Sequence, residues 1–182
     1  MVNFRTVGHG TLPADELASL VTGAGIGLIV DVRSFPASRR HPQFRREAME
    51  RWLPDAGVAY RWEPRLGGRR RPRPDSPHGA LRVPAFRGYA DHMETAEFGE
   101  AVDDLLADAG TRPAAVMCAE SVWWRCHRRL LADAAVLLRG AAVEHLFHDG
   151  RLDAHRPTAE ARVDGQRLVY DGGEPGLPLR DS

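Results

Sequence analysis

The stretch Ile26–Val32 most constrains the fold. It is a near-continuous apolar run of strand length that stops on Asp31-Val32-Arg33-Ser34-Phe35-Pro36. Such a run suits a strand covered on both faces, which is the situation inside a parallel sheet. Parallel neighbours need crossover connections, and helical patterns stand on both sides to supply them. Upstream, Asn3–Val7 reads as a strand running into Gly8-His9-Gly10. Thr11 is placed to cap a helix from about Pro13, with Leu17, Leu20 and Val21 on its apolar side. Downstream, Pro42 opens a helix to about Asp55, and Gly57–Trp62 forms a third strand. Phe86–Met93 is a short helix. Thr95 caps another, in which Phe98, Ala101, Val102, Leu105, Leu106 and Ala109 fall on one face. Pro113–Cys118 and Ala141–Phe147 are the fourth and fifth strands, with a helix from about Ser121 to Arg139 between them. Arg162–Val163 and Arg167–Tyr170 flank Asp164-Gly165, a hairpin signal.

Strands alternating with helices predict an α/β protein: a single domain over residues 1–170, with a mainly parallel twisted sheet of about five strands and helices on both faces. A C-terminal hairpin follows, then a frayed tail at 171–182. Residues 63–85 have no periodicity and are rich in Pro, Gly and Arg. A loop this long inside a compact domain is usually functional or disordered.

The 182 residues suffice for one real core. No apolar run reaches membrane-spanning length and no signal-peptide pattern opens the chain, so a cytoplasmic protein without membrane partners is expected. Cys118 and Cys126 would then be reduced. All 25 basic residues are arginine, which excludes lysine Schiff-base chemistry. Residues 33–87 carry 14 Arg against five acids, whereas residues 88–111 carry seven acids and no Arg. Such segregation suggests a positive face suited to a phosphate-bearing small molecule or a nucleic acid.

In open parallel sheets, ligands bind beyond the carboxyl ends of the strands. The expected strands end on Gly8-His9-Gly10, on Asp31 and Arg33, on Cys118-Ala119-Glu120, and on His148-Asp149. Gly8 and Gly10 allow close backbone approach to a ligand, while Asp31 and Arg33, two apart, share one side of a strand. Cys118 at a strand end facing a helix is a candidate nucleophile. Glu120 in the first helical turn is a candidate general base, and His127 a candidate acid or base. Arg125 and Arg128 can meet phosphate. Trp123 and Trp124, being adjacent, cannot both face the core, and one can offer a stacking surface. The spacing excludes a dinucleotide fingerprint, a P-loop and the Cys-x5-Arg phosphatase loop, since Trp124 stands where that arginine belongs. No cofactor is called for. Cys118, Cys126 and His127 are weak zinc candidates whose remaining ligands would have to be His9 or His148.

The ordered set Thr6-Val-Gly-His-Gly10, Asp31-Val-Arg-Ser-Phe-Pro36 with Ser38, Leu66-Gly-Gly68, Phe86 with Tyr89, Ala90 and Met93, Met117-Cys-Ala-Glu120 and Cys126-His-Arg128 resembles the family known as domain of unknown function 488. The ending His155-Arg-Pro-Thr158 to Arg162-Val163 is similar to the end of that domain. The resemblance implies a compact α/β domain with no established reaction. Its motif residues fall on Gly8, His9, Asp31, Arg33, Pro36, Ser38, Cys118, Glu120, Cys126, His127 and Arg128. The chain departs from the pattern where Gly10 replaces a serine and Trp123-Trp124 stands near an expected proline. Three functional readings follow: an enzyme acting on a nucleotide or nucleic-acid component, a non-catalytic nucleic-acid or nucleotide-binding module using the basic loop, and a cysteine-based redox or metal-binding protein.

Overall fold

The computed structural model describes residues 3–173. Its centre is a six-stranded sheet of order β3-β2-β4-β1-β5-β6, built from β1 (Phe4–Gly8), β2 (Leu28–Asp31), β3 (Ala59–Trp62), β4 (Ala114–Cys118), β5 (Val143–Leu146) and β6 (Leu152–Ala154). The first five strands are mutually parallel, and β6 adds an antiparallel edge on β5. The sheet therefore has one more strand than the hydrophobic runs suggest. β6 has only three residues and is largely exposed, so it leaves no alternating pattern in the sequence. A separate hairpin joins β7 (Arg162–Asp164) to β8 (Arg167–Val169), and Asp164 belongs to its first strand, not to its turn.

Five helices cover the two faces: α1 (Ala14–Gly23), α2 (Arg46–Asp55), α3 (Pro84–His92), α4 (Ala96–Thr111) and α5 (Arg128–Arg139). The period of two along each strand sorts the core. Ala115 and Met117 pack with α1 and α2, while Ala114, Val116 and Cys118 pack with α4 and α5. Thr95 caps α4 as expected, accepting from the Phe98 amide at 3.2 Å. Thr11 does not cap α1, whose N-cap is Pro13 without a side-chain bond. Pro42 starts only a 3-10 turn, Pro42–Phe44, and α2 begins at Arg46.

The larger correction concerns the segment after β4. The helix expected from Ser121 begins at Arg128, after a loop and a 3-10 turn at Trp123–Arg125. Glu120 is therefore exposed in a loop and not in a helical first turn.

The loop at 63–85 is held by distant partners instead of by local structure. The Arg73 amide donates to Asp91 at 2.8 Å, the Arg69 amide to Ser34 Oγ at 3.2 Å, and the Ala80 amide to the Tyr170 carbonyl at 2.9 Å. Its Pro64–Leu66 stretch forms a 3-10 turn. Of the expected frayed tail, residues 174–182 lie outside the described residues, while Asp171 pairs with Arg162 at 2.6 Å. No helix among the described residues is long and apolar enough to cross a membrane.

Candidate functional site

β1 and β4 are hydrogen-bonded neighbours whose following chains leave toward opposite faces of the sheet, to α1 and to α5. That divergence opens a crevice at their carboxyl ends, the place where open α/β sheets take ligands. Its two lips are Gly8-His9-Gly10 and Cys118-Ala119-Glu120. The His9 amide donates to the Cys118 carbonyl at 2.9 Å, and the Gly10 amide to the Ala119 carbonyl at 3.0 Å. Gly8 is required by close approach: a Cβ there would stand 1.8 Å from the Glu120 carbonyl oxygen and 2.9 Å from Arg128. Gly10 has a φ of 52°, a conformation that suits glycine.

On the α2 side the buried Asp31 carboxylate holds Arg33 in a two-pronged pair, with Nε at 2.8 Å and Nη2 at 2.6 Å. The Arg33 amide and the Tyr60 hydroxyl, at 3.1 and 2.6 Å, complete its acceptor capacity. The expected ion pair is thus present, and it leaves Arg33 Nη1 pointing to His9 Nε2 at 3.3 Å. His9 stacks on Phe44 at 4.1 Å and donates from Nδ1 to its neighbour's carbonyl, Gly10, at 2.8 Å. Burial pulls its pKa down to about 4, so the ring is neutral and Nε2 is free to accept from Arg33.

On the α5 side the two cysteines meet. Cys118 Sγ and Cys126 Sγ are 2.8 Å apart, and both line the cleft though each is largely buried. Cys126, not Cys118, stands at the N-terminal end of α5, one residue ahead of its N-cap His127, and the Arg128 amide approaches its sulfur at 3.5 Å. His127 Nδ1 lies 3.4 Å from the same sulfur, while its Nε2 is 3.1 Å from the Val32 carbonyl. Burial alone would raise both thiols. For Cys126 the bond from Cys118, the His127 imidazole and the Arg128 guanidinium outweigh it and hold the thiol well below its ordinary range. Burial and donation to Cys126 push Cys118 well above. Cys126 therefore joins Cys118 as a candidate nucleophile, and its neighbours His127 and the Arg128 amide favour a thiolate there.

Two adjoining hollows of about 310 and 510 Å³ share Arg33, Phe35, Arg69 and Glu120 as walls. The first holds the cysteines and Arg125; the second holds Ser38, Arg39 and Arg40. Arg39, Arg40, Arg69 and Arg125 form no ion pair with a carboxylate among the described residues. Three other arginines of the basic stretch are met by the acidic segment: Arg65 meets Asp104 at 2.7 Å, Arg61 meets Asp108 at 2.7 Å, and Arg73 meets Glu94 at 3.2 Å. Arg45, Arg51, Arg70, Arg71, Arg82 and Arg87 likewise form no carboxylate pair among the described residues, so the positive charge inferred from segregation extends beyond the cleft rim. Phe35, 71% exposed, presents an aromatic face at the rim with Arg69 above it.

Several expected site residues take other places. Arg128 is fully buried and its guanidinium donates inward, to the Glu120 carbonyl and to Thr6. Glu120 uses its carboxylate on the Val122 amide at 3.3 Å. Ser38 Oγ accepts from the His41 amide at 3.0 Å. His148 bonds the Gly8 carbonyl at 2.6 Å, and His9 lies on the opposite face from the cysteines, so neither completes a zinc set. Among the described residues, no group of three or more His, Cys, Asp or Glu is placed to hold a metal ion. Trp123 stacks on His145, and Trp124 is the exposed member of the pair. Arg39, Arg40 and Arg69 escape notice in the sequence individually, membership in the basic stretch being their only signal, and Phe35 is marked only as part of the Asp31–Pro36 motif.

No curated protein and no solved structure matches the chain. One family model does, over residues 13–135, a span that includes Asp31, Arg33 and the whole Cys118–Arg128 segment but not Gly8–Gly10. With two thirds of its length matched, the chain belongs to the family described as domain of unknown function DUF488.

Proposed function

We propose that the chain is a thiol-dependent enzyme acting on a phosphate-bearing substrate, a nucleotide or nucleic-acid component, in the cleft between the β1 and β4 loops. The observation that carries this reading is the Cys126 sulfur, which accepts from the Arg128 amide and adjoins His127 inside a cleft rimmed by Arg39, Arg40, Arg69 and Arg125. The rim arginines take the phosphates, Phe35 offers a face for a base, and Arg33 stays pinned by Asp31. Cys126 attacks the electrophilic centre, and His127, adjoining the sulfur, handles the proton of the leaving group. The hollows fall within the usual size of small-molecule sites. A cytosolic location suits this reading, since it keeps both thiols reduced.

Calorimetry with adenosine mono-, di- and triphosphate and with a short oligonucleotide tests the substrate class. Charge reversal at Arg39 and Arg69 together is expected to weaken phosphate binding by tenfold or more, from the roughly 1.5–3 kcal/mol of a charge-assisted hydrogen bond. Binding that ignores both reversals sinks the reading. Binding to the oligonucleotide alone, steeply salt-dependent and without turnover, would support the non-catalytic module instead.

A second reading rests on the 2.8 Å between the sulfurs. A low-molecular-weight disulfide can oxidise the pair: the Cys126 thiolate attacks one sulfur and expels a thiolate. Cys118, losing its proton, then displaces the second thiolate and closes an internal disulfide. Two electrons pass from the pair to the reagent, which leaves as two thiols. Free-thiol titration after such treatment is expected to fall from two to none, with full recovery on reduction. Two thiols that persist would exclude this redox role.

A further inference from the structure

Arg128 and Asp133 are a cation and an anion, both on α5 and both fully buried, yet they do not touch. Leaving either ion uncompensated would cost several kcal/mol. What lies between them is a continuous line of side chains. Arg128 Nη1 reaches Thr6 Oγ1 at 3.4 Å, and Thr6 Oγ1 stands 2.6 Å from His145 Nδ1. His145 Nε2 lies 2.9 Å from His155 Nδ1, and His155 Nε2 lies 2.8 Å from Asp133 Oδ1. Tyr170 Oη and the Thr158 amide donate to the same carboxylate at 2.9 Å each.

The protons in this line can be placed from its ends. A guanidinium only donates and an ionised carboxylate only accepts. Thr6 therefore accepts from Arg128 and donates to His145 Nδ1. His145 must then carry its proton on Nε2 and donate to His155 Nδ1, and His155 donates from Nε2 to Asp133. Every link points the same way, so the neutral dipoles align with the field between cation and anion. The low pKa of His145, about 3 through burial and the neighbouring His155, agrees with a neutral ring. Trp123 lies flat on that ring at 4.0 Å, which clamps the loop between the two cysteines onto the same line.

We infer that Thr6, His145, His155 and Asp133 form a one-way chain of hydrogen bonds that fixes the Arg128 guanidinium behind the Cys118–Cys126 pair, making them positioning residues for the Cys126 nucleophile. This rests on the reading of Cys126 as the reactive thiolate. Arg128 cannot give up its proton, so the chain is not a proton wire. Its work is to hold one cation at one place, with the Glu120 carbonyl as the second anchor. The other groups facing Cys126 are Cys118 from β4, Tyr89 from α3 and the adjacent His127. Arg33, Arg69, Arg125 and Glu120 line the cleft beyond.

The test is the pH dependence of iodoacetamide alkylation of the full chain, with the modified cysteine identified by peptide mapping. Thr6→Val keeps the shape and removes the link; Thr6→Ser keeps the hydroxyl. In Thr6→Val the alkylation midpoint of Cys126 is expected to move up by about one unit, equivalent to about tenfold slower labelling at pH values below the wild-type midpoint. Thr6→Ser is expected to retain the wild-type profile. His155→Gln, which loses the acceptor at Nδ1, should move it in the same direction and serves if Thr6→Val does not fold. A folded Thr6→Val or His155→Gln protein with the wild-type midpoint overturns the inference. The readout needs no substrate, so it is separable from the proposed reaction: a wild-type Cys126 with an ordinary midpoint would sink the enzyme reading itself.

Discussion

Replacing Cys126 with serine is expected to abolish turnover of any substrate found for the cleft, by at least three orders of magnitude, because a hydroxyl is not ionised where the thiol is. Rapid alkylation should vanish with it, leaving Cys118 as one slow thiol. Cys118→Ser is expected to behave differently. The serine hydroxyl can still donate to Cys126, so a reactive thiolate persists with a modest loss of rate. The asymmetry follows from position. Cys126 lies just ahead of α5, with the Arg128 amide and His127 against its sulfur, whereas Cys118 ends β4 without either neighbour. Rate measurements on the two variants side by side check it; equal losses in both would contradict the assignment of roles.

Asp31→Ala is expected to be the most damaging of the changes to the arginine-bearing half of the site. It strips Arg33, only 8% exposed, of its carboxylate and leaves the Tyr60 hydroxyl without its acceptor. Breaking a buried pair in this way typically costs about 3–5 kcal/mol. For a domain of this size that is on the order of ten degrees in Tm. Anion affinity should fall as well, since Arg33 lines both hollows and would lose its fixed direction. Thermal melts of the variant and wild type decide the first point, and a change of only a degree or two would mean the pair is not the anchor described.

Much of this was legible in the residues, for identifiable reasons. β2 declares itself as a two-sided apolar run, and the i, i+2 spacing of Asp31 and Arg33 puts both on one face, where they pair. The carboxyl-end rule located the crevice at Gly8 and Cys118 because those strands are adjacent and diverge. What the sequence concealed has physical causes too. α5 has no side-chain cap on its first turn, so nothing marks Arg128 as its start, and Ser121 offered a false one. That error assigned the helix-start advantage to Cys118 and Glu120 when it belongs to Cys126. The alternation along each strand also divides the site: His9 and Arg33 serve the α2 face, and the cysteines the α5 face. Burial of Arg128 depends on Thr6, His145, His155 and Asp133, residues far apart in the chain, and only Asp133, among the buried apolar positions of α5, hints at it.

The central claim is that the two cysteines are one unequal pair. Ultraviolet absorbance of thiolate, followed across pH in the reduced wild-type protein, reads it directly. One thiolate forming well below the ordinary cysteine range, assigned to Cys126 by its loss in Cys126→Ser, and a second forming well above it, is the predicted result. Two thiols titrating together in the ordinary range would contradict the account.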